Sequence, residues 1–399
     1  MKVKKKRYDV ILFENAYQLE NHYKDLELLA LMLQNAGYNV AIADVFKEEK
    51  LCTNNNIPHV QLRYKAPKVL CKVSQYRCKI SNIRYSYLRL ISNIYLIYAL
   101  YSLKKQTRLF YLGSLTIDTP LLWLLFLPRN NNYLIWGLRS YVLLKWQEKA
   151  YGRFYIYSRL LYELLRKSKY ISFVVSNSII KNEFIEKVGI DENRIVVRPE
   201  RCVPDDYKIN IERPKETNIL KLLTFGTLRK NKHVEIVLDA LKNLCDKSIQ
   251  YTIAGRCKDD NGYSELLEER MKNVPNVIRI DRYIPDEEYE ELLDKTDFVV
   301  LCDEPEKSCG TNGTMLEAIL HGIPVIAPHH EPFVTEIEGH QLGLTYDLLD
   351  VDSLSKCILI AQESSKDCYT PSILSYIDTL KIDSISKTIK YQLQNKSIL

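Results

Sequence analysis

Short apolar runs and helical periodicities alternate along the chain. Tyr8 to Phe13 is a mostly apolar run with the character of a buried strand. From His22 to Ala36 the apolar residues recur with a helical period that stops at Gly37, and Asn39 to Asp44 is a second strand. This strand–helix–strand opening predicts a Rossmann-like domain with a parallel sheet. Arg108 to Leu112, Tyr133 to Trp136 and Ile171 to Ser176 are further strands, and Tyr155 to Lys169 is a helix. The stretch 176–200 reads as helix, glycine stop, turn and strand. Pro199, Pro204 and Pro214 then mark a charged linker.

A second series begins at Leu220. Leu220 to Phe225, Gln250 to Ala254, Val277 to Ile280 and Phe298 to Leu301 have strand patterns, and Val234 to Leu244 and Ser264 to Met271 helical ones. Residues 285–297 form a helix opened by Pro285, with acidic residues in its first turn, where the helix dipole favours them. The last stretch, about 370 to 399, is helical. The expected fold class is therefore α/β, with two Rossmann-like domains facing a central cleft, a usual place for a ligand. The expected boundaries are 1–199, 200–375 and a terminal helix, 376–399, that packs back on the first domain.

Charge divides the chain the same way. The net charge of +6 conceals 32 Lys and Arg against 15 Asp and Glu in residues 1–199, which leaves 24 against 35 for the rest. Such asymmetry suggests domains with different partners. Between Glu49 and Asp118 there is no acidic residue, and tyrosines and leucines are interleaved with the basic ones. No stretch approaches the roughly 18 to 20 apolar residues of a membrane span, and the run Val10 to Phe13 is too short for a signal-peptide core. The ten cysteines include no C-x-x-C pair and no zinc-like spacing, as expected of reduced cysteines in a cytosolic protein.

The chemistry concentrates in residues 310–328, GTNGTMLEAILHGIPVIAP. A small polar loop (Thr311, Asn312, Gly313, Thr314) opens on a short helix carrying Glu317 in its first turn; Gly322 ends the helix and an apolar strand follows. Free N–H groups at a helix start, with glycine allowing close approach, suit a phosphate. A carboxylate beyond it suits the paired hydroxyls of a ribose. Phosphate with ribose implies a nucleotide. The plain alternative is an ordinary helix–strand unit with a capped helix.

Taken in order, four pieces of the second series resemble the family-four retaining glycosyltransferases of the GT-B fold, which use nucleotide sugars. They are FGTLRKNKHVEIVLDAL, with Gly226, Lys232 and Ala240 at the family's positions; the YTIAG turn at Gly255; residues 276–301; and NGTMLEAILHGIPVIAP. The resemblance covers about Leu220 to Ala327, and residues 1–170 match in pattern only. It implies that Lys232 neutralises the donor's diphosphate, that Asn312, Gly313 and Thr314 bind phosphate, and that Glu317 holds the ribose. Backbone near Tyr283 and Ile284 would meet the base, and Arg229 or Lys230 would replace the family's arginine where Thr227 stands. The family's first glutamate would fall on Cys309, so Glu306 is the candidate, with Asp303 and Glu304 as rivals. The family's histidine near the donor sugar is missing from IWGLRSY, which leaves His22. Lysine and helix dipole suffice for the diphosphate, so no metal or other cofactor is expected beyond a UDP- or GDP-linked donor; Asp259 and Asp260 form only a turn.

The basic, aromatic first domain suits a lipid-linked or oligosaccharide acceptor at an anionic membrane surface, as in bacterial surface polysaccharide synthesis. The expected location is cytoplasmic, peripheral on the inner face of the cell membrane, with no nucleic acid partner. Two other readings compete. A nucleotide-sugar epimerase would need catalytic carboxylates and histidines that the first domain mostly lacks. A non-catalytic basic membrane- or RNA-binding protein would leave Lys232 and Glu317 without a ligand.

Overall fold

The computed structural model describes residues 7–13, 20–43, 56–65, 82–113, 127–136, 163–209, 219–258, 262–272, 274–305, 312–364 and 366–399. The chain forms two compact units, Met1–Cys202 with Ile382–Leu399, and Val203–Lys381.

In the first unit β1 (Tyr8–Phe13), β2 (Val40–Ala43), β3 (His59–Val60), β4 (Thr107–Leu112), β5 (Asn132–Trp136), β6 (Ile171–Val175) and β7 (Ile195–Val197) form one sheet in the order β3-β2-β1-β4-β5-β6-β7. Every pairing is parallel; Ile11, for example, lies against Ala41 on one side and Phe110 on the other. Both faces are covered, which explains runs without alternation. Ile11 and Phe13 face one core layer, under α2 (Asn82–Leu103) and α3 (Ser178–Glu183); Val10 and Leu12 face the other, under α1 (Glu20–Asn35). Leu26, Leu29, Ala30 and Leu33 of α1 are buried at the spacing of one helical face.

In the second unit β8 (Leu220–Phe225), β9 (Ile249–Ala254), β10 (Val277–Ile280), β11 (Phe298–Val300), β12 (Val325–Pro328) and β13 (Gly343–Tyr346) form a parallel sheet ordered β10-β9-β8-β11-β12-β13. Its helices are α4 (Val234–Leu244), α5 (Tyr263–Met271), α6 (Asp286–Asp294), α7 (Gly313–Leu320), α8 (Val351–Glu363) and α9 (Thr370–Thr379). Helix α4, which follows β8, packs on one face with Leu222 and Leu238; α7, which follows β11, packs on the other with Leu223 and Ile319. The chain therefore leaves these two neighbouring strands toward opposite faces, and their C-terminal ends bound a crevice.

The last helix, α10 (Ile382–Asn395), belongs to the first unit. Ile385, Ile389 and Leu393 are buried with α1 and the sheet. Gln392 caps the edge strand β7: its Oε1 accepts from Val197 N at 2.8 Å and its Nε2 donates to Val197 O at 2.9 Å. Edge strands expose unpaired backbone groups, and Gln392 satisfies two of them.

Among the described residues no helix is long and apolar enough to cross a membrane. Helix α2 accounts for part of the aromatic stripe. Leu96, Ala99, Leu100 and Leu103 are core residues, with Ile91 and Tyr95 packed against them, while Ile94 and Tyr101, seven residues apart on one face, are 59% and 45% exposed. Tyr76 and the side chains of Tyr85, Tyr87, Leu88 and Leu90 lie outside the described residues.

Candidate functional site

The site is built where β8 and β11 end. Gly226 follows β8 with φ +98, a left-handed conformation that glycine adopts without strain. A Cβ on it would lie 3.9 Å from both Lys232 Nζ and Thr314 Oγ1, so ammonium, hydroxyl and bare backbone converge there. Gly255, after β9, lets this happen. A Cβ on Gly255 would fall 1.9 Å from Gly226 O, a distance no side chain tolerates, so only glycine allows the two turns to touch.

Asn312 caps α7; its Oδ1 accepts from Met315 N at 3.0 Å, and Gly313 is the first helical residue. Among the described residues, no atom outside this helix's own start lies within 4 Å of where a Cβ on Gly313 would stand. Glu317 sits past the first turn, not in it as the sequence pattern suggested, because Asn312 rather than an earlier residue is the cap. Its charge acts on Tyr207, whose pKa is raised by burial first and by Glu317 next, and whose hydroxyl donates to Leu320 O at 2.8 Å. Gly322, with φ +73, closes the helix as expected.

Lys232 ends a short 3-10 turn, Lys230–Lys232, preceded by Arg229, which is exposed. Its Nζ stands 3.8 Å from Asp303 Oδ1 and both side chains are largely buried. Asp303 is fixed in turn, since its carbonyl oxygen lies 2.8 Å from His330 Nε2. Glu304 binds the Lys232 loop twice: its N–H donates to Asn231 O at 3.0 Å and its Oε1 lies 2.7 Å from His233 Nε2. The other ring nitrogen of His233 lies 3.1 Å from Glu235 Oε1, and Tyr263 donates to Glu235 Oε2 at 2.7 Å. Burial opposes a charged His233, but the hydrogen bonds to Glu304 and Glu235 prevail and raise its pKa above the ordinary value. Cys302, fully buried beside them, is pushed up to about 12 by burial and is no nucleophile.

Beyond β10, Asp281 accepts from Cys257 N at 2.9 Å and from Arg279 Nη2 at 2.6 Å, which stiffens the loop. Tyr283 on that loop is 76% exposed, whereas Ile284 packs into the core under α6. The structure thus brings Gly226, Lys232 and Thr314 together, with Asn312 and Gly313 at the adjoining helix start. Glu306 lies outside the described residues, as do Asp259 and Asp260; His22 is in the first turn of α1, but its side chain lies outside them too. Among the described residues no cluster of three His, Cys, Asp or Glu side chains could hold a metal ion.

A lysine and a helix start at a topological switch point are chemically suited to a phosphate. Residues 220–362 match the family model described as glycosyl transferases group 1. No curated protein matches the chain by sequence. Solved structures match over nearly all of it. A glycosyltransferase from Rickettsia africae is 15% identical with a TM-score of 0.62, covering 98% of this chain and 99% of its own. The lipopolysaccharide outer core galactosyltransferase WaaB is 14% identical with a TM-score of 0.62, covering 97% and 99%. Anabaena HepE in complex with UDP is 14% identical with a TM-score of 0.60, covering 97% and 100%. At these identities the likeness is one of fold: two Rossmann-like units of the GT-B class, as the sequence predicted.

Proposed function

We propose that the chain transfers a sugar from a nucleotide-sugar donor to a saccharide acceptor, with the diphosphate held by the Val203–Lys381 unit. The observation that carries this reading is the convergence of Lys232 and Thr314 on the bare backbone of Gly226, beside the start of α7. A departing nucleoside diphosphate gains negative charge, and a fixed ammonium with aligned N–H groups stabilises it without a metal. Glu317 takes the ribose hydroxyls, and the loop at Tyr283 and Ile284 takes the base. HepE, of the same fold, is described with UDP and with UDP-glucose, which favours a uridine donor.

The acceptor in this reading is lipid-linked, the transfer retains configuration at the sugar, and the first unit works at an anionic membrane. The exposed Ile94 and Tyr101 of α2, with Lys104 Nζ 4.7 Å from the Tyr101 ring centre, support an interfacial surface. Incubation with a panel of nucleotide sugars, with and without lipid acceptor, tests the activity. Release of nucleoside diphosphate that requires an acceptor is expected; no release from any donor overturns the reading.

A further inference from the structure

His233 occupies a backbone conformation that favours glycine, with φ +40 and ψ +40 between the Lys232 turn and α4. It spans that junction without capping α4 through its side chain; the first free N–H of the helix, Val234 N, is instead satisfied by the Tyr263 hydroxyl at 2.9 Å. What the imidazole does instead is bridge two carboxylates, Glu235 on α4 and Glu304 after β11. A neutral imidazole carries one N–H, so it can donate to only one of them, and the other would face a ring lone pair. Both contacts are attractive only when the ring is protonated. The groups around it are Glu235, Glu304 and Tyr263, with the Lys232–Asp303 pair adjoining in sequence on both sides.

We propose, on the donor-site reading above, that His233 is a positioning residue: its imidazolium clamps Glu304 and so keeps that carboxylate from competing with the diphosphate for Lys232. Asp303 is 3.8 Å from Lys232, and Glu304 follows it directly. Released from the ring, Glu304 becomes an uncompensated carboxylate next to an anion site, where it repels a diphosphate and competes for Lys232. The raised pKa agrees with the geometry: the protonated ring is favoured in the folded protein and is lost as pH rises through that raised value.

The test uses the full chain and UDP as probe, with calorimetry from about pH 5.5 to about pH 8.5, a range that brackets imidazole titration. Wild type, His233→Gly and His233→Gly/Glu304→Gln are compared; glycine suits the left-handed backbone, so the variants keep the turn. Wild-type affinity should fall roughly tenfold more across the range than that of His233→Gly, in which only UDP's own ionisation acts. His233→Gly should bind weakly throughout, and adding Glu304→Gln should restore affinity. Identical pH profiles in wild type and His233→Gly, or a double variant weaker than the single one, would overturn the proposal. Imidazole NMR separates the two ways of failing. A His233 midpoint at the free-imidazole value, with UDP bound normally, rejects the clamp. A raised midpoint that Glu304→Gln lowers, with neither UDP nor GDP bound, rejects the donor site and with it the role of His233.

Discussion

At the residue scale, Lys232 and Glu317 make different demands on a donor. Glu317→Ala should weaken nucleoside diphosphate binding by roughly 1.5–3 kcal/mol for each charged hydrogen bond lost. Calorimetry should show this with an unchanged unfolding midpoint. Lys232→Ala should instead lower kcat more than it raises KM, because the diphosphate gains charge as the glycosidic bond breaks. Steady-state kinetics of both variants decide the assignment, since a pure KM effect for Lys232→Ala speaks against it. Gly255→Ala should abolish nucleotide binding, because its Cβ would displace the Gly226 carbonyl. Gly226 and Lys232 could be located in sequence because their setting is local: a turn after a strand and a lysine in that turn; Asn312, read as a loop residue, is the helix cap. His233 could not be located that way. Its meaning depends on Glu304, 71 residues away, and on a positive φ that no histidine announces.

At the scale of elements, two central strands that read as mostly apolar runs came through unaltered: β1 and β8 have the bounds their patterns suggest. Burial on both sheet faces writes the signal in every residue of such strands. Elements with a weaker burial contrast were not legible. Strand β13 is a four-residue edge strand, mostly half-buried, and its first residue, Gly343, has to be glycine because a Cβ there would fall 1.9 Å from Val325 O. Helix α2 is hidden by Ser92 and Asn93, which interrupt its apolar run. Helix α10 offers the sharpest test at this scale. Ile389 is 2% exposed among residues of α1 and the first sheet, far in sequence from both. Ile389→Ala should destabilise the first unit by about 2–5 kcal/mol, the usual range for a buried aliphatic truncated to alanine. Limited proteolysis should then cut residues 1–202 first and leave the Val203–Lys381 unit resistant, whereas uniform cleavage of both units would contradict the assignment of α10 to the first.

At the scale of the whole molecule, the two units carry opposite charge, and the acid-free window from Lys50 to Arg108 lies wholly in the basic one. Hydropathy alone could not say which of its aromatic and aliphatic residues are core. The described end of α2 divides them, sending Leu96 and Leu100 inward and Ile94 and Tyr101 outward. Tyr64, 54% exposed, extends the outward set by packing edge-on against Tyr98 with ring centres 5.5 Å apart. Lys104, Lys105 and Arg63 stand exposed in the same segments. Aromatic and aliphatic side chains at the headgroup level with basic residues beside them are the chemistry of an anionic interface. Each cation near such a surface contributes about 1 kcal/mol, screened over about 8 Å at physiological salt. The protein should therefore sediment with anionic vesicles at low salt, much less at high salt, and not with neutral vesicles. Replacing Ile94, Tyr101, Lys104 and Lys105 by serine should reduce sedimentation several-fold while leaving UDP affinity, proposed for the other unit, unchanged. Loss of UDP binding in the same variant would mean that the substitutions unfold the chain. Sedimentation indifferent to salt, or equal with neutral vesicles, would leave the basic window to a soluble anionic acceptor instead of a membrane.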